Sequence, residues 1–454
     1  MITFVALLMF LQLGEGWGRA TLLCSLLTLP WVLKSFVRAK LERQGHLALW
    51  LRVTECLIFA MLVVLAFSFE WSTDRTWRVF ASLFVLSVLC AAHELMARIH
   101  YEHMLRPPVQ RLYNVSKMFV SQAVVIITYG IMIVGVGFLE VFYHNRRDAL
   151  SLSWSMAVYV LAGLYLLFII YNIIALPGSS RSQYAAVRDG SSLDALPATA
   201  STSAQASSSD ELVASFRAEV RVLDRIMHKP HWLRVLLGLM FLLLPQALMF
   251  HARVLFFIAP RSEGGLGATL QEIGLAQGTV GVMAFSLGLV LGHWLTNSLF
   301  TDSLSHRNHG NHGNFHSSFV IRHSSFVTRH SSFIIHHSSL FLLPLSPLVY
   351  WHLSFLLPTS LTAMCAATFV AQLLFGFGLN ACRPYVSFFS GNRYRSTTGY
   401  FYIPLVALSM LPAMAVSGYL VECLGFHTFF AINAAAIPLA WLAAAMTKPI
   451  INNK

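Results

Sequence analysis

Residues 153–176 read SWSMAVYVLAGLYLLFIIYNIIAL, an apolar run that contains no charged side chain. A helix crosses the roughly 30 Å hydrocarbon core of a bilayer with about 20 apolar residues, so this run is long enough to span it. The sequence therefore predicts an all-α membrane protein, with a shorter apolar stretch at 2–13 before the first full span. Comparable runs lie at 19–37, 48–69, 77–98, 118–140, 232–259, 273–300, 340–358, 361–383, 398–421 and 426–447.

The bulk composition supports this prediction. Of the 454 residues, 56% are apolar and only 11% are charged, whereas soluble proteins carry about 25% charged residues. A soluble enzyme, a nucleic-acid-binding module and a disordered chain are therefore disfavoured, and the lipid bilayer is the expected surrounding. The six cysteines are scattered and form no CxxC pair, so no metal site, disulfide framework or cofactor is expected.

The basic residues predict the orientation of the chain. Loops on one predicted side, together with the C-terminal tail, hold 19 Lys and Arg, and the alternate loops hold five. Because cytoplasmic loops of membrane proteins carry the excess of positive charge, this split predicts a cytoplasmic C-terminus. It also favours an even number of spans if the first helix, represented here by the stretch at 2–13, starts in the cytoplasm. The expected location is a bacterial inner membrane.

A Ser- and Ala-rich segment divides the chain in two. We expect an N-terminal helical bundle at 1–177, a cytoplasmic linker at 178–230 and a C-terminal bundle at 231–448. Inside the linker, five apolar residues follow one another at helical spacing. They predict an amphipathic helix on the membrane surface, with a partly ordered linker as the alternative. The five are Val213, Phe216, Val220, Leu223 and Met227.

The predicted loop at 302–339 contains a His/Ser/Phe repeat. The tetrad HSSF begins at His316, His323 and His330, with a period of seven residues. Histidine clusters can bind metal ions, but residues 315–339 offer no carboxylate or cysteine partner. A cytoplasmic loop that arose by tandem duplication is the preferred interpretation.

Ionisable side chains inside apolar helices are costly and point to function. His93, Glu94 and Arg98 lie near the inner end of the predicted span 77–98, and Glu94 and Arg98 share a helix face because they are four residues apart. They form either a proton or substrate relay or an ion pair that anchors the helix end. His251 and Arg253 lie in the outer half of the span 232–259. Arg253 could bind an anionic group or extend to the headgroups.

Neutral polar residues extend the set of candidates. Gln246 follows Pro245, whose helix break could line a cavity. Amide side chains can form hydrogen bonds between helices. Tyrosine side chains can stack on a sugar or lie at the membrane interface. The further amide candidates are Gln277, Gln372 and Asn380, and the tyrosine candidates are Tyr129, Tyr400 and Tyr402.

Several motifs resemble those of the major facilitator superfamily. Pro30-Trp31-Val32-Leu33-Lys34, with Glu42-Arg43 and Gly45, resembles its helix 2–3 loop, a conformational element. The segments Gly264-Gly265-Leu266-Gly267, Glu272-Ile273-Gly274-Leu275 and Gly278-Thr279-Val280-Gly281-Val282 are similar to the helix 7–8 region of AmpG-type muropeptide permeases and acetyl-CoA transporters. Phe375-Gly376-Phe377-Gly378 and residues 399–430 resemble helices 10 to 12 of that branch.

This resemblance implies two six-helix bundles and a monomeric permease that imports a small solute together with H⁺. The cargo it implies is a muropeptide or another amino-sugar compound. Binding at the bilayer midplane and rocking of the two halves are typical of such symporters. Among the ionisable residues of this sequence, Glu94 is the candidate for a protonatable coupling group and Arg253 the candidate substrate anchor.

Three departures from that pattern leave alternatives open. Met1 aligns with the middle of the family's first helix, Arg98 stands where relatives carry a second acid, and the repeat at 302–339 is inserted. A non-transporting sensor or inactive paralogue is one alternative. A membrane-embedded transferase that uses His93 and Glu94 is another, although no nucleophile–base set accompanies them.

Overall fold

The structure is a computed structural model that describes residues 2–34, 47–70, 74–105, 107–146, 148–175, 228–308, 341–382, 385, 388 and 402–452. Within these ranges the regular structure is helical, and no strand occurs. The linker helix predicted at 213–227, the repeat at 315–339 and the loop residues Glu42, Arg43 and Gly45 lie outside the described residues.

The described residues of the first half of the chain form eight α-helices. A π-helical segment at Ile127–Ile131, called the first π segment, joins the sixth helix to the seventh without a break. The helices are α1 (Ile2–Gln12), α2 (Trp17–Leu26), α3 (Leu29–Leu33), α4 (Leu47–Ser68), α5 (Arg75–Met104), α6 (Pro107–Ile126), α7 (Met132–Phe142) and α8 (Ala149–Ala175).

In the second half, eight more α-helices occur within the described ranges. A π-helical segment at Gly274–Val280, called the second π segment, joins the second of these helices to the third. The helices are α9 (Trp232–Ile258), α10 (Leu270–Ile273), α11 (Gly281–Asn308), α12 (Ser346–Leu356), α13 (Leu361–Gly378), α14 (Tyr402–Leu424), α15 (Phe426–Ala435) and α16 (Ile437–Asn452).

Nine stretches among the described residues are long and apolar enough to cross a membrane, and shorter apolar helices occur at Thr3–Gln12 and Trp17–Leu33. In α8, large apolar side chains face outward: Phe168 is 62% exposed and Ile174 is 80% exposed. Water would penalise such a surface, whereas lipid does not. The chain is thus a multi-pass membrane protein.

The predicted spans correspond to helices, with several differences. The span predicted at 19–37 is divided into α2 and α3 near Thr28, where Pro30 in the first turn of α3 lacks a backbone donor. The span predicted at 426–447 is divided into α15 and α16 near Ala436. The two π segments were not predicted. Helix α11 continues past the predicted end of its span at 300 to Asn308, and so takes in the first residues assigned to the repeat loop at 302–339.

The two halves contact each other through a few specific pairs of elements. Helix α2 packs on α14, α7 packs on α10, and the first π segment packs on the second. The α1 helix lies in the interior, where Leu7, Leu8 and Phe10 have no exposed surface. These contacts enclose the space that holds the candidate site.

Candidate functional site

A cavity of about 240 Å³ lies between the two halves of the molecule. The first half contributes side chains from α1, α6 and the first π segment. The second half contributes side chains from α9, the second π segment, α11 and α13. Its lining residues are Phe4, Leu7, Gln122, Val125, Tyr129, Phe250, His251, Arg253, Val254, Gln277, Gly281, Val282, Phe285, Gln372 and Phe375.

Two of the lining residues lie on the π segments. Tyr129 belongs to the first π segment and Gln277 to the second. The backbones pass so closely there that a Cβ atom at Gly278 would collide with the carbonyl oxygen of Tyr129. A π-helical turn redirects side chains relative to a regular α-helix and is frequent at functional sites. Here the two turns place Tyr129 and Gln277 at the cavity from opposite halves.

Gln277 connects the cavity wall to two neighbouring helices. Its Nε2 donates to the hydroxyl of Tyr350 at 3.5 Å and to the hydroxyl of Thr368 at 3.4 Å. Gln372 follows Thr368 by four residues on α13 and therefore lies on the same helix face. Both amides are buried and both line the cavity, so they offer neutral donors and acceptors to a solute.

Arg253 contributes a positive charge to this wall. Its Nε is buried and has no hydrogen-bond partner among the described residues, and its Cζ lies 5.4 Å from the centre of the Phe250 ring on the preceding turn. None of the lining residues found in the described part of the chain is Asp or Glu. The side chain thus lines the cavity between the two halves, and its extension to the headgroups stays the alternative interpretation.

His251 lies beside Arg253 and is 1% exposed. Its Nδ1 is 3.2 Å from the carbonyl oxygen of Met414 on α14. Its Nε2 is buried and, within the described residues, has no partner. One ring nitrogen thus fixes the orientation of the imidazole, and the other is left for a partner that the described chain does not supply.

A second polar cluster forms around Glu94 on α5. Its carboxylate is paired with Lys34 at the end of α3, and its other oxygen is 4.0 Å from Nζ of Lys117 on α6. The sequence predicted Arg98 as the partner on the same face, and Arg98 is an electrostatic neighbour of Lys34. Burial lowers the pKa of Lys34 from its usual value, whereas the charge of Glu94 opposes that shift. None of these residues lines the cavity.

His93 takes a different partner from its neighbour Glu94. Its Nδ1 is 3.2 Å from the hydroxyl of Thr54 on α4. The imidazole therefore connects α5 to α4, and the pair His93–Glu94 does not converge on one point.

Gln246 is not among the residues found to line this cavity in the described part of the chain. Pro245 lies inside α9, and the Gln246 side chain donates to the carbonyl oxygen of Leu343 at 2.5 Å and accepts from Ser346 at 2.9 Å. Asn433 donates to the carbonyl oxygen of Pro245 at 3.0 Å. Groups near the proline thus bond to other helices rather than to a solute.

The remaining candidates are placed as follows. Asn380 lies in the 3₁₀ turn Leu379–Cys382, and Tyr402 begins α14; their side chains are outside the described part. Tyr400 lies outside it altogether. The sequence reasoning missed Gln122, Phe250 and Phe285. The amide of Gln122 in an apolar helix was a usable signal, whereas nothing separates lining phenylalanines from the many others.

Comparison with solved structures relates this arrangement to known transporters. No protein-family profile and no curated protein sequence matches the chain. Three solved structures are similar over nearly the whole chain. A bacterial homologue of the human drug peptide transporters PepT1 and PepT2 has 12% identity and a TM-score of 0.51, covering 99% of this chain and 95% of that one.

The nucleoside transporter NupG has 12% identity and a TM-score of 0.53 over 100% of this chain and 95% of its own. The xylose transporter XylE from E. coli, in a partially occluded inward-open conformation, has 10% identity and a TM-score of 0.53 over 96% and 88%. The chain has the major facilitator superfamily fold. At these identities the likeness concerns the fold alone, and the narrower resemblance to AmpG-type permeases stays a prediction.

Proposed function

We propose that the protein is a secondary active transporter of the bacterial inner membrane, which moves a small solute by alternating access together with protons. The observation that carries this proposal is the cavity between the two halves, lined by Arg253, Gln277 and Gln372 within an apolar wall. An apolar pocket with a few convergent polar groups is the usual form of a small-molecule site. The fold shared with peptide, nucleoside and sugar transporters supports the same function.

The halves proposed to rock are the bundles at 1–177 and 231–448, joined by the linker at 178–230. Among the described residues, the contacts between them include α2 with α14, α7 with α10, and the two π segments with each other. Rocking around a fixed midplane site requires that such contacts separate and re-form. The small residues at these contacts, Gly18 and Gly278 among them, keep the facing surfaces smooth.

Glu94 is the proposed proton-coupling group. Protonation of its carboxylate would remove the negative charge that faces Lys34 and Lys117. The contact between α3 and α5 would then lose its ion pair. Proton binding would therefore shift the equilibrium between the conformations of the transporter. Coupling would therefore act through helix contacts, since Glu94 is not a cavity residue.

The cargo is a solute that fits the cavity. By the scale on which an apolar cavity of about 150 Å³ holds benzene, the 240 Å³ available here holds roughly ten non-hydrogen atoms. The amino-sugar cargo that the AmpG resemblance implies would require a more open conformation. We therefore propose a single small solute as the first candidate cargo and an amino-sugar compound as the second.

Uptake by the reconstituted full chain tests the proposal. Proteoliposomes with and without an inward proton gradient would receive labelled organic acids, nucleosides, monosaccharides and N-acetylglucosamine. Gradient-dependent accumulation of one class is the expected result. Absence of both uptake and exchange for all classes would favour the non-transporting sensor or inactive paralogue. Conversion of a solute into a new product would favour the transferase instead.

A further inference from the structure

Arg253 is a half-buried cation, and the residues found to line the cavity in the described part of the chain include no Asp or Glu. It lies on α9, five residues before the end of the span Trp232–Ile258, and its Nε has no hydrogen-bond partner within the described residues. Removing a guanidinium from water without a paired anion is expensive, and charged groups inside membrane segments pair with one another or mark a solute path. A missing counter-charge therefore points to a charge that arrives with the solute.

The neighbours of Arg253 are neutral or aromatic. Tyr129 lines the same cavity, and His251 lies beside Arg253 with a buried Nε2 that has no partner among the described residues. Gln277 and Gln372 add neutral amides to the same wall. None of these groups cancels the positive charge, and several can donate a hydrogen bond to an anion.

The rest of the wall is apolar and aromatic. Phe4, Phe250, Phe285 and Phe375 line the cavity, together with aliphatic side chains. Such a surface favours an apolar or ring-shaped body over a solute that carries hydroxyl groups on every side. The cavity thus combines one cationic anchor with a largely apolar chamber.

We propose that the cavity binds a small monoanion with an apolar body, whose anionic group pairs with the guanidinium of Arg253. A carboxylate suits the planar fork of the guanidinium best, because two parallel hydrogen bonds can form. The inference rests on the proposed function in taking this cavity as the solute site, and it adds the chemical class of the solute.

The test measures binding, separately from transport. Thermal unfolding of the purified full chain in detergent would be followed against concentrations of benzoate, phenyl phosphate, benzamide and benzylamine. Ligand that binds the folded state raises the unfolding temperature. We expect benzoate to raise it and benzamide to require an at least roughly tenfold higher concentration for the same rise, since a hydrogen bond to a charged group is lost. Phenyl phosphate, which is largely a dianion at neutral pH, should bind more weakly than benzoate if the site takes a monoanionic carboxylate, and benzylamine should cause no rise because it carries a positive charge.

Substitution of Arg253 completes the test. Arg253→Gln should weaken benzoate at least about tenfold, and Arg253→Lys should weaken it less because the charge remains. The matched control is Arg146→Gln, which changes an exposed arginine near Tyr143 that does not line the cavity. Equal effects of benzoate and benzamide, undiminished benzoate binding in Arg253→Gln, or no response to either anion would overturn the proposal.

A further measurement covers the case in which Arg253→Gln fails to fold. In the unaltered protein, benzoate should protect Arg253 from phenylglyoxal, as read by mass spectrometry, while Arg146 reacts freely. Unprotected Arg253 would count against the site. Arg253-dependent binding of the anion without any uptake would contradict the transport function and support the anion site. Uptake of a neutral solute without anion binding would support the transport function and contradict the anion site.

Discussion

Glu422 at the end of α14 accepts a hydrogen bond from the backbone N–H of Gly18 at 2.9 Å, across 404 residues of sequence. Gly18 lies in the first turn of α2, where backbone N–H groups have no intrahelical acceptor and the helix dipole is positive. A carboxylate from the second half of the chain thus caps a helix of the first half. The same contact includes Thr21, which receives the N–H of Gly418 at 3.2 Å.

Removal of the Glu422 carboxylate should loosen this contact between α2 and α14. Glu422 is exposed, so we expect the lower range of a capping interaction, about 0.5–1 kcal/mol, or a twofold to fivefold shift of the conformational equilibrium. In a Glu422→Ala variant, a cysteine introduced at Thr21 should react faster with a membrane-impermeant maleimide. Glu263→Ala is the control, since Glu263 borders the same surface hollow; an equal effect there would contradict a specific role for the cap.

Gly278→Ala should destabilise the protein because the added methyl group collides with the backbone of Tyr129. The expected loss is about 1–3 kcal/mol, the usual cost of overpacking, seen as a lower unfolding temperature in detergent. Gly135→Ala is the matched control, since nothing lies within 4 Å of a Cβ at that position. A Gly278→Ala variant as stable as the Gly135→Ala variant would argue against the close contact of the two π segments.

Gln246 and Gln372 should respond differently to the same substitution. Gln246→Leu removes the bonds to Leu343 and Ser346 and should lower stability by about 1 kcal/mol while leaving solute affinity unchanged. Gln372→Leu alters the cavity wall and should change affinity more than stability. The unfolding temperature and the KM of uptake, measured on both variants, distinguish the structural role of Gln246 from the solute-binding role of Gln372. Altered affinity in Gln246→Leu would reverse our assignment.

Glu94→Gln should abolish accumulation against a gradient and spare exchange of solute at equilibrium, because exchange requires no net proton movement. Counterflow and uphill uptake in the same proteoliposomes separate these two properties. Glu140→Gln provides a control, as Glu140 is a second acid near the end of a span and interacts with Gln12 at 3.4 Å. Unchanged uphill uptake in Glu94→Gln would remove Glu94 from the coupling mechanism.

The role of Lys34 can be tested by combining substitutions. The ion pair is tested first as a purely structural contact that holds α3 against α5. In that case Lys34→Met alone should destabilise the protein, because the Glu94 carboxylate then keeps only the more distant Lys117, at 4.0 Å, as a partner. The double variant Lys34→Met/Glu94→Gln should then recover stability, because no carboxylate is left without its Lys34 partner. Stability that recovers without return of uphill uptake would separate the structural from the coupling role of Glu94.

The amino-acid sequence determined the fold class and the approximate spans of this protein. Uninterrupted apolar runs such as residues 153–176 can only be placed in lipid, and in lipid the backbone must satisfy its own hydrogen bonds within helices. The motif around Pro30 and Lys34 further indicated the superfamily whose fold the structure has. These are local properties, and they require no knowledge of which helices meet.

The tertiary structure decided which polar residues share a site. Arg253, Tyr129 and Gln277 converge on one cavity, while Gln246, seven residues before Arg253, bonds to the 343–346 segment instead. Likewise, Glu94 is paired with Lys34 from another helix, although its own helix offered Arg98. The rotation of each helix and the π segments set these partners. They depend on side-chain packing between segments far apart in sequence, which the apolar pattern of a single helix does not encode.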